Sequence, residues 1–138
     1  MKTYSMKTKS FTQEVEIRAK AKDIYETFMD EKKHAILVDA NAKIDKKVNG
    51  IFEIYDGEIK GITTKLIPNK KIVQKWRYNY PNWPQDYLSI LTIEIEEKSD
   101  NISVIKVSHK NIPEEYADEI EEGWYEYYWN PMKKLLEK

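Results

Sequence analysis

The sequence IPEEYADEIEEGWYEYYWNPMKKLLEK, residues 112–138, decides the fold because it has the period of one long amphipathic helix. Large side chains recur at steps of three or four residues along one side: Tyr116, Ile120, Trp124, Tyr127, Pro131 and Leu135. Six of the nine residues 114–122 are acidic, which stabilises the positive N-terminal end of a helix. Pro131 is expected to remove the hydrogen bond to the Tyr127 carbonyl and to kink the helix there.

The sequence before this helix predicts a sheet that the helix would cover. Residues 11–17 alternate in polarity, as in a strand with one buried face. Residues 19–39 change to a helical period, and Asp30 is a candidate N-cap that would divide them into two short helices. Residues 42–110 predict about six further strands in successive hairpins. The long helix is then the one element that could fill the concave face of the curved sheet.

The turns of the sheet are expected where residues tolerate positive φ. Asn49-Gly50 and Asp56-Gly57 are favoured in tight hairpins, and Gly61 within a strand predicts a bulge or a bend. A loop rich in proline, residues 81–86 (PNWPQD), interrupts the sheet. The alternation in the later strands predicts these inward-facing side chains: Ile72, Gln74, Trp76, Tyr78, Leu91, Ile93, Ile95, Ile105, Val107 and His109.

Length and composition predict one globular domain over residues 10–138, preceded by a flexible N-terminal tail over residues 1–9. The net charge of −1 argues against nucleic acid and membrane surfaces as partners. The absence of cysteine excludes disulfides and thiol chemistry and fits a reducing compartment. No apolar run approaches the roughly 20 residues of a membrane span. A cytoplasmic protein is therefore expected.

Several ordered motifs resemble the activator of heat-shock protein 90 (Hsp90) ATPase family. They are Ile59-Lys60-Gly61, the run LIPNKKIVQKWR at residues 66–77, Trp83-Pro84, Ser89-Ile90-Leu91-Thr92, Ile112-Pro113, Gly123-Trp124 and Tyr127-Tyr128-Trp129. The resemblance covers residues 11–136 and is to the C-terminal domain of a two-domain co-chaperone. It implies an α+β helix-grip (START-like) fold, in which a curved antiparallel sheet of about six to seven strands wraps around the C-terminal helix.

The same resemblance implies a co-chaperone function without the family's separate N-terminal domain. The expected partner is Hsp90, whose ATPase the chain would stimulate or modulate. Many helix-grip domains instead hold a small hydrophobic ligand between sheet and helix, which gives the alternative function. An enzyme of the cyclase or hydratase type is a weaker third hypothesis.

The residues provide little for catalysis, so no enzyme activity, catalytic residue, metal or cofactor is expected. His34, in the second predicted helix, is interpreted as solvated. His109 ends the last strand beside the long helix. We interpret it as a structural histidine in preference to an acid or base at the mouth of a cavity. Glu114-Glu115 and Glu121-Glu122 are adjacent on a helix, so their side chains diverge and make no catalytic pair.

The inward aromatic residues have two interpretations, a solid core or the walls of a ligand cavity. Gly123 supports the ligand cavity as the alternative interpretation. Glycine inside a helix lowers helix stability by about 1 kcal/mol relative to alanine and often marks close packing or space. The candidate cavity residues are Phe28, Trp76, Tyr78, Leu91, Ile93, Ile105, His109, Ile120, Gly123, Trp124 and Tyr127.

A second candidate surface lies on the outer side of the sheet. Trp83 stands between two prolines, and it either anchors a partner from a stiff exposed loop or folds back to cap the sheet. Lys75 and Arg77 share the outer face of one strand. They are either solvated or in contact with an acidic partner surface.

Overall fold

Seven antiparallel strands form one sheet in the order β1-β7-β6-β5-β4-β3-β2 in the computed structural model, which describes residues 6–137. The strands are β1 (Thr8–Ile17), β2 (Ala42–Ile44), β3 (Ile51–Ile54), β4 (Ile59–Ile67), β5 (Lys71–Tyr78), β6 (Ser89–Ser99) and β7 (Ile102–Pro113). Helices α1 (Ala21–Met29) and α2 (Glu31–Val38) follow β1. The C-terminal helix, residues 114–136, comprises α3 (Glu114–Trp124), a π-helical turn (Tyr125–Trp129) and α4 (Asn130–Leu136). The predicted helix-grip architecture is confirmed.

The first strand of the chain pairs with the last, so β1 and β2 form the two edges of the sheet. β1 lies antiparallel to β7, and all the later strands form a meander in chain order. The alternation predicted for β5, β6 and β7 is the one observed, with Ile72, Leu91 and Ile105 fully buried on the concave face. None of the helices within residues 6–137 combines the length and hydrophobicity that a membrane crossing requires.

The predicted tail over residues 1–9 is too long. β1 already begins at Thr8, which pairs with Pro113, and the Lys9 ammonium lies 2.9 Å from the Asp118 carboxylate. The backbone N–H of Glu114 also donates to the carbonyl of Lys7. The remainder of the predicted tail, residues 1–5, lies outside the described residues.

Asp30 divides the two short helices as the sequence predicts. Its backbone is extended, and its carboxylate accepts a hydrogen bond from the N–H of Lys33 at 2.9 Å, which satisfies a free donor at the start of α2. At the other end of α2, Asp39 takes a left-handed conformation with φ of 53° and ends the helix. The two helices pack on the same side of the sheet as the C-terminal helix.

Two of the predicted turns differ from expectation. Asn49-Gly50 does not form a two-residue hairpin, because the loop between β2 and β3 is longer and only Asn49 has a positive φ. Asp56 and Gly57 both have positive φ, as predicted, but Tyr55 joins them in the turn. Gly61 is not a bulge. It is a point of close approach, where an added Cβ would collide with the Lys75 carbonyl oxygen and the Phe52 ring, and the register shift lies between Thr63 and Lys65.

The C-terminal helix departs from the predicted single period at its π-helical turn. The N–H of Asn130 bonds the carbonyl of Tyr125, five residues earlier, directly before Pro131. The extra residue in this turn rotates the following side chains. Tyr127, predicted to face the sheet, is 48% exposed, whereas Tyr128 and Trp129 are both buried. The inward face beyond Trp124 therefore consists of Tyr128, Trp129 and Met132, and not of Tyr127 and Pro131.

Candidate functional site

The centre of the space between sheet and helix is solid core. The rings of Trp76 and Trp124 lie 5.4 Å apart, and each side chain is only 2% exposed. Six of the candidate cavity residues are buried in this core and do not line the groove described next: Phe28, Trp76, Leu91, Ile93, Ile105 and His109. For these residues the structure favours the core interpretation.

A groove of about 610 Å³ lies beside this core, between the helix and the β3–β5 end of the sheet. That volume is within the range of small-molecule sites. Five of the candidate cavity residues line it: Tyr78, Ile120, Gly123, Trp124 and Tyr127. The structure adds Tyr55, Glu58, Ile59, Tyr80, Glu119, Glu122, Glu126 and Tyr128 to its lining. Five of the thirteen lining residues were thus predicted, and the groove is displaced from the centre of the sheet.

The floor of the groove is apolar and its rim is acidic. The floor consists of the buried lining residues: Ile59, Tyr78, Ile120, Trp124 and Tyr128. The four lining glutamates, which are exposed, stand at the rim together with Tyr127. Tyr127 on the helix and Tyr55 in the β3–β4 turn are in edge-to-face contact, with ring centroids 6.2 Å apart and ring planes inclined at 76°.

One phenol group in the groove has no hydrogen-bond partner within the described chain. The hydroxyl group of Tyr55 is buried and forms no hydrogen bond with any other residue among 6–137. Burial and the neighbouring Tyr127 raise the pKa of Tyr55 to about 12, so this phenol stays protonated at neutral pH.

Gly123 leaves space at the groove. A Cβ added at this position would meet only the Tyr127 ring, at 3.6 and 3.9 Å, which are ordinary van der Waals distances. The glycine is therefore not required by close helix packing. The residue instead widens the groove at the middle of its helical wall.

His109 is a fully hydrogen-bonded structural residue at the end of β7. Its Nδ1 accepts from the indole N–H of Trp124 at 3.2 Å, so its Nε2 carries the proton and donates to the Ser89 hydroxyl at 2.8 Å. The Ser89 hydroxyl in turn donates to the Trp76 carbonyl. Burial lowers the pKa of His109 to about 3, so the ring is neutral. Both ring nitrogens are engaged, and the side chain does not reach the groove.

The interpretation of His34 as a solvated residue is wrong. The side chain is 3% exposed, because α2 turns it toward the C-terminal helix. Its Nδ1–H donates to the Phe28 carbonyl at 2.9 Å, and its Nε2 accepts from the Tyr128 hydroxyl at 3.0 Å. Burial lowers its pKa. The apolar surroundings of Phe28 and Tyr128 were not apparent from a lysine-rich helical segment.

The three candidate partner residues differ in their exposure and in their hydrogen bonds. Trp83 folds back, 4% exposed, and its indole N–H donates to the Tyr87 carbonyl at 2.9 Å. Arg77 holds the same loop through the carbonyls of Gln85 and Trp83. Lys75 alone of the three is exposed on the outer face of β5. Trp83 therefore caps the sheet, and a partner surface in this region would be formed without its indole.

A family model and several curated proteins match most of this chain. The family model described as "Activator of Hsp90 ATPase homolog 1-like protein" matches residues 18–137. The human "Activator of 90 kDa heat shock protein ATPase homolog 1" is 26% identical over 114 residues, which are 83% of this chain and 33% of that protein. The Dictyostelium discoideum homolog is 27% identical over 117 residues, 85% of this chain and 30% of that protein. The chain thus spans about a third of the length of these curated relatives.

Solved structures share the fold over most of this chain and most of their own chains. An HSP90 activator from Plasmodium falciparum superimposes with a TM-score of 0.84 at 25% identity, covering 91% of this chain and 94% of that chain. The Aha1 dimer from Colwellia psychrerythraea shares the fold, with a TM-score of 0.75 at 18% identity and coverage of 93% and 96%. Because the family model covers nearly the whole chain, the protein belongs to the activator of Hsp90 ATPase homolog 1-like family.

Proposed function

We propose that this protein is a non-enzymatic, cytoplasmic co-chaperone that binds Hsp90 and stimulates its ATPase activity. The observation that carries the proposal is the family match over residues 18–137, together with relatives named as activators of that ATPase. The match to the Plasmodium falciparum HSP90 activator extends over 94% of that solved chain, so nearly all of its fold is shared.

The mechanism in this proposal is differential binding. A partner shifts a conformational equilibrium only by as much as it prefers one state over the other. The domain would bind the ATPase-competent conformation of the chaperone more tightly and so raise its population. The packed core suits that task, because a well-packed domain can present a surface without internal rearrangement.

The proposed contact surface is the outer face of β4 and β5. Strand pairing places Lys60 beside Arg77, and Ile62 beside Lys75, on the side away from the helices. Ile90 of β6 continues the row past Lys75. The result is a basic surface with apolar side chains, which complements an acidic partner.

The test is the ATP turnover of the cognate chaperone with increasing amounts of the protein. We expect turnover to rise to a plateau, and the Lys75→Glu variant to require about tenfold more protein for half of the effect, because charge reversal removes one attraction and adds a repulsion. The matched control is Lys32→Glu. Lys32 is exposed on α2, on the opposite side of the sheet, and its reversal should leave the titration unchanged. Unaltered turnover at saturating protein would contradict the activator function itself.

A second candidate function is the binding of a small hydrophobic ligand, and the groove favours it. About 610 Å³ of space with an apolar floor is retained beside a core that is otherwise well packed. Gly123 keeps this space open at some cost to the helix. The groove and the outer face of β4 and β5 are different surfaces, so the two proposed functions can be tested separately.

The neutral dye Nile red provides a direct test of the groove. We expect the fluorescence of the dye to rise when it binds to the natural protein. The affinity for the dye should be at least about tenfold lower in the Gly123→Leu variant, because the leucine side chain would occupy the groove. A leucine at the exposed position Glu115 on the same helix serves as the control and should leave dye binding unchanged. Equal binding by all three proteins would contradict the groove as the site.

A further inference from the structure

The charge of the groove is uncompensated. Four glutamates line it, Glu58, Glu119, Glu122 and Glu126, and no lysine or arginine does. None of the ion pairs found among residues 6–137 involves any of these four carboxylates. The glutamates come from two elements that are distant in sequence, the β3–β4 turn and the C-terminal helix. Compensation of the helix dipole explains charge in the first turn of the helix but not Glu126 or Glu58.

The walls of the groove present aromatic rings to the same space. Tyr55 and Tyr127 stand at the rim, Tyr80 stands beside them, and Tyr78 and Trp124 lie below. Aromatic faces carry partial negative charge and attract cations, above all those whose charge is spread over alkyl groups and is weakly hydrated. The carboxylates and the rings therefore favour the same class of ligand.

We propose that the groove binds a small organic cation, an alkylated ammonium group attached to an apolar body. The ammonium group would lie beside the rim carboxylates and against the Tyr127 ring, which is 48% exposed. The apolar body would cover the floor at Ile120 and Trp124. The unpartnered hydroxyl of Tyr55 would be available to a polar substituent of the ligand. This inference rests on the second candidate function and names its ligand class; it does not depend on chaperone binding.

Three probes of the same shape separate charge from hydrophobicity. They are (3-hydroxyphenyl)trimethylammonium, its neutral isostere 3-tert-butylphenol, and the anion 3-hydroxybenzenesulfonate. Calorimetric titration measures the affinities, and amide chemical-shift changes at Tyr55 and Gly123 report where each probe binds. We expect the cation to bind about tenfold more tightly than the neutral isostere, and the anion not to bind. The affinity of the cation should fall with added salt, and that of the isostere should not.

Matched charge deletions test the role of the rim. The double variant Glu119→Gln/Glu122→Gln should lose about fivefold in affinity for the cation and nothing for the isostere. The control variant Glu114→Gln/Glu115→Gln removes two charges from the same helix outside the groove and should bind the cation as the natural protein does. Equal loss in both double variants would show that only the overall charge matters and would overturn the inference.

The remaining outcomes distinguish this inference from the functions proposed above. If 3-tert-butylphenol binds in the groove as tightly as the cation does, the inference is overturned while a hydrophobic ligand site remains. If no probe shifts the groove amides, both the cation site and the ligand-binding function are contradicted. Stimulation of the chaperone ATPase is measured separately and is unaffected by either result.

Discussion

Replacing Trp124 with alanine is expected to lower the free energy of unfolding by about 3–5 kcal/mol, a large part of the stability of a typical domain. The indole is 2% exposed and packs against Trp76, Tyr128 and Trp129, with ring centroids 4.5–5.5 Å away. Its removal leaves a cavity between sheet and helix and takes away the hydrogen bond to Nδ1 of His109. Urea denaturation followed by circular dichroism measures the change.

Two further substitutions make this prediction specific. Trp124→Phe keeps most of the volume but leaves the buried His109 nitrogen without a donor, and we expect a smaller loss of about 1–3 kcal/mol. This variant provides the measurement if the alanine variant does not fold. Tyr125→Ala is the control, because the neighbouring ring is 44% exposed and its loss should change stability by about 0.5 kcal/mol or less. A small effect of Trp124→Ala would contradict the solid core described here.

Acidification from pH 7 to pH 5 is expected to lower the free energy of unfolding by about 2 kcal/mol through His109 alone. The ordinary histidine pKa of 6.5 applies to the unfolded chain, whereas burial lowers the pKa to about 3 in the folded protein. Between these values the unfolded state binds a proton that the folded state does not. Stability is therefore full above pH 6.5 and falls progressively as the pH decreases toward 3. Burial lowers the pKa of His34 as well, so it acts in the same direction.

The His109→Gln variant isolates this effect. Its stability at pH 7 will be lower, but its loss between pH 7 and pH 5 should be smaller than that of the natural protein by about 2 kcal/mol. Taking the difference between the two curves removes the contribution of carboxylates that both proteins share. In the natural protein, the imidazole resonances of His109 should not titrate between pH 7 and pH 5. A midpoint near 6.5 for His109 would contradict its burial as a neutral ring.

Local patterns were sufficient to predict most of the fold. The alternation of Ile72, Gln74, Trp76 and Tyr78 identified a strand and its buried face, because a strand places successive side chains on opposite sides. Asp30 identified a helix start, because its carboxylate can satisfy a free N–H within a few residues. Each of these inferences depends on atoms close together in sequence.

The candidate site was harder to predict because it depends on contacts between distant elements. The π-helical turn shifted the inward face from Tyr127 to Tyr128, and no helical period reveals an extra residue in advance. His34 appeared solvated because its partner Tyr128 lies 94 positions away. Tyr55 and Glu58 were missed because turn residues carry no periodic signal. The spacing of Tyr78 and Tyr80 was an available clue, since the two rings stack at 5.3 Å where β5 runs into the groove wall.

The pairing of β1 with β7 also constrains how the chain reaches its native state. Gln13 of β1 donates to the Glu121 carbonyl and accepts from the Trp129 indole, so the first strand is tied to the C-terminal helix across more than 100 residues. Contacts of such long range are slow to form, because a large loop must close before they stabilise anything. During synthesis on the ribosome, β1 would remain unpaired until β7 and the C-terminal helix have emerged. The apolar face of β1 is then the surface most in need of protection from aggregation while the protein is being made.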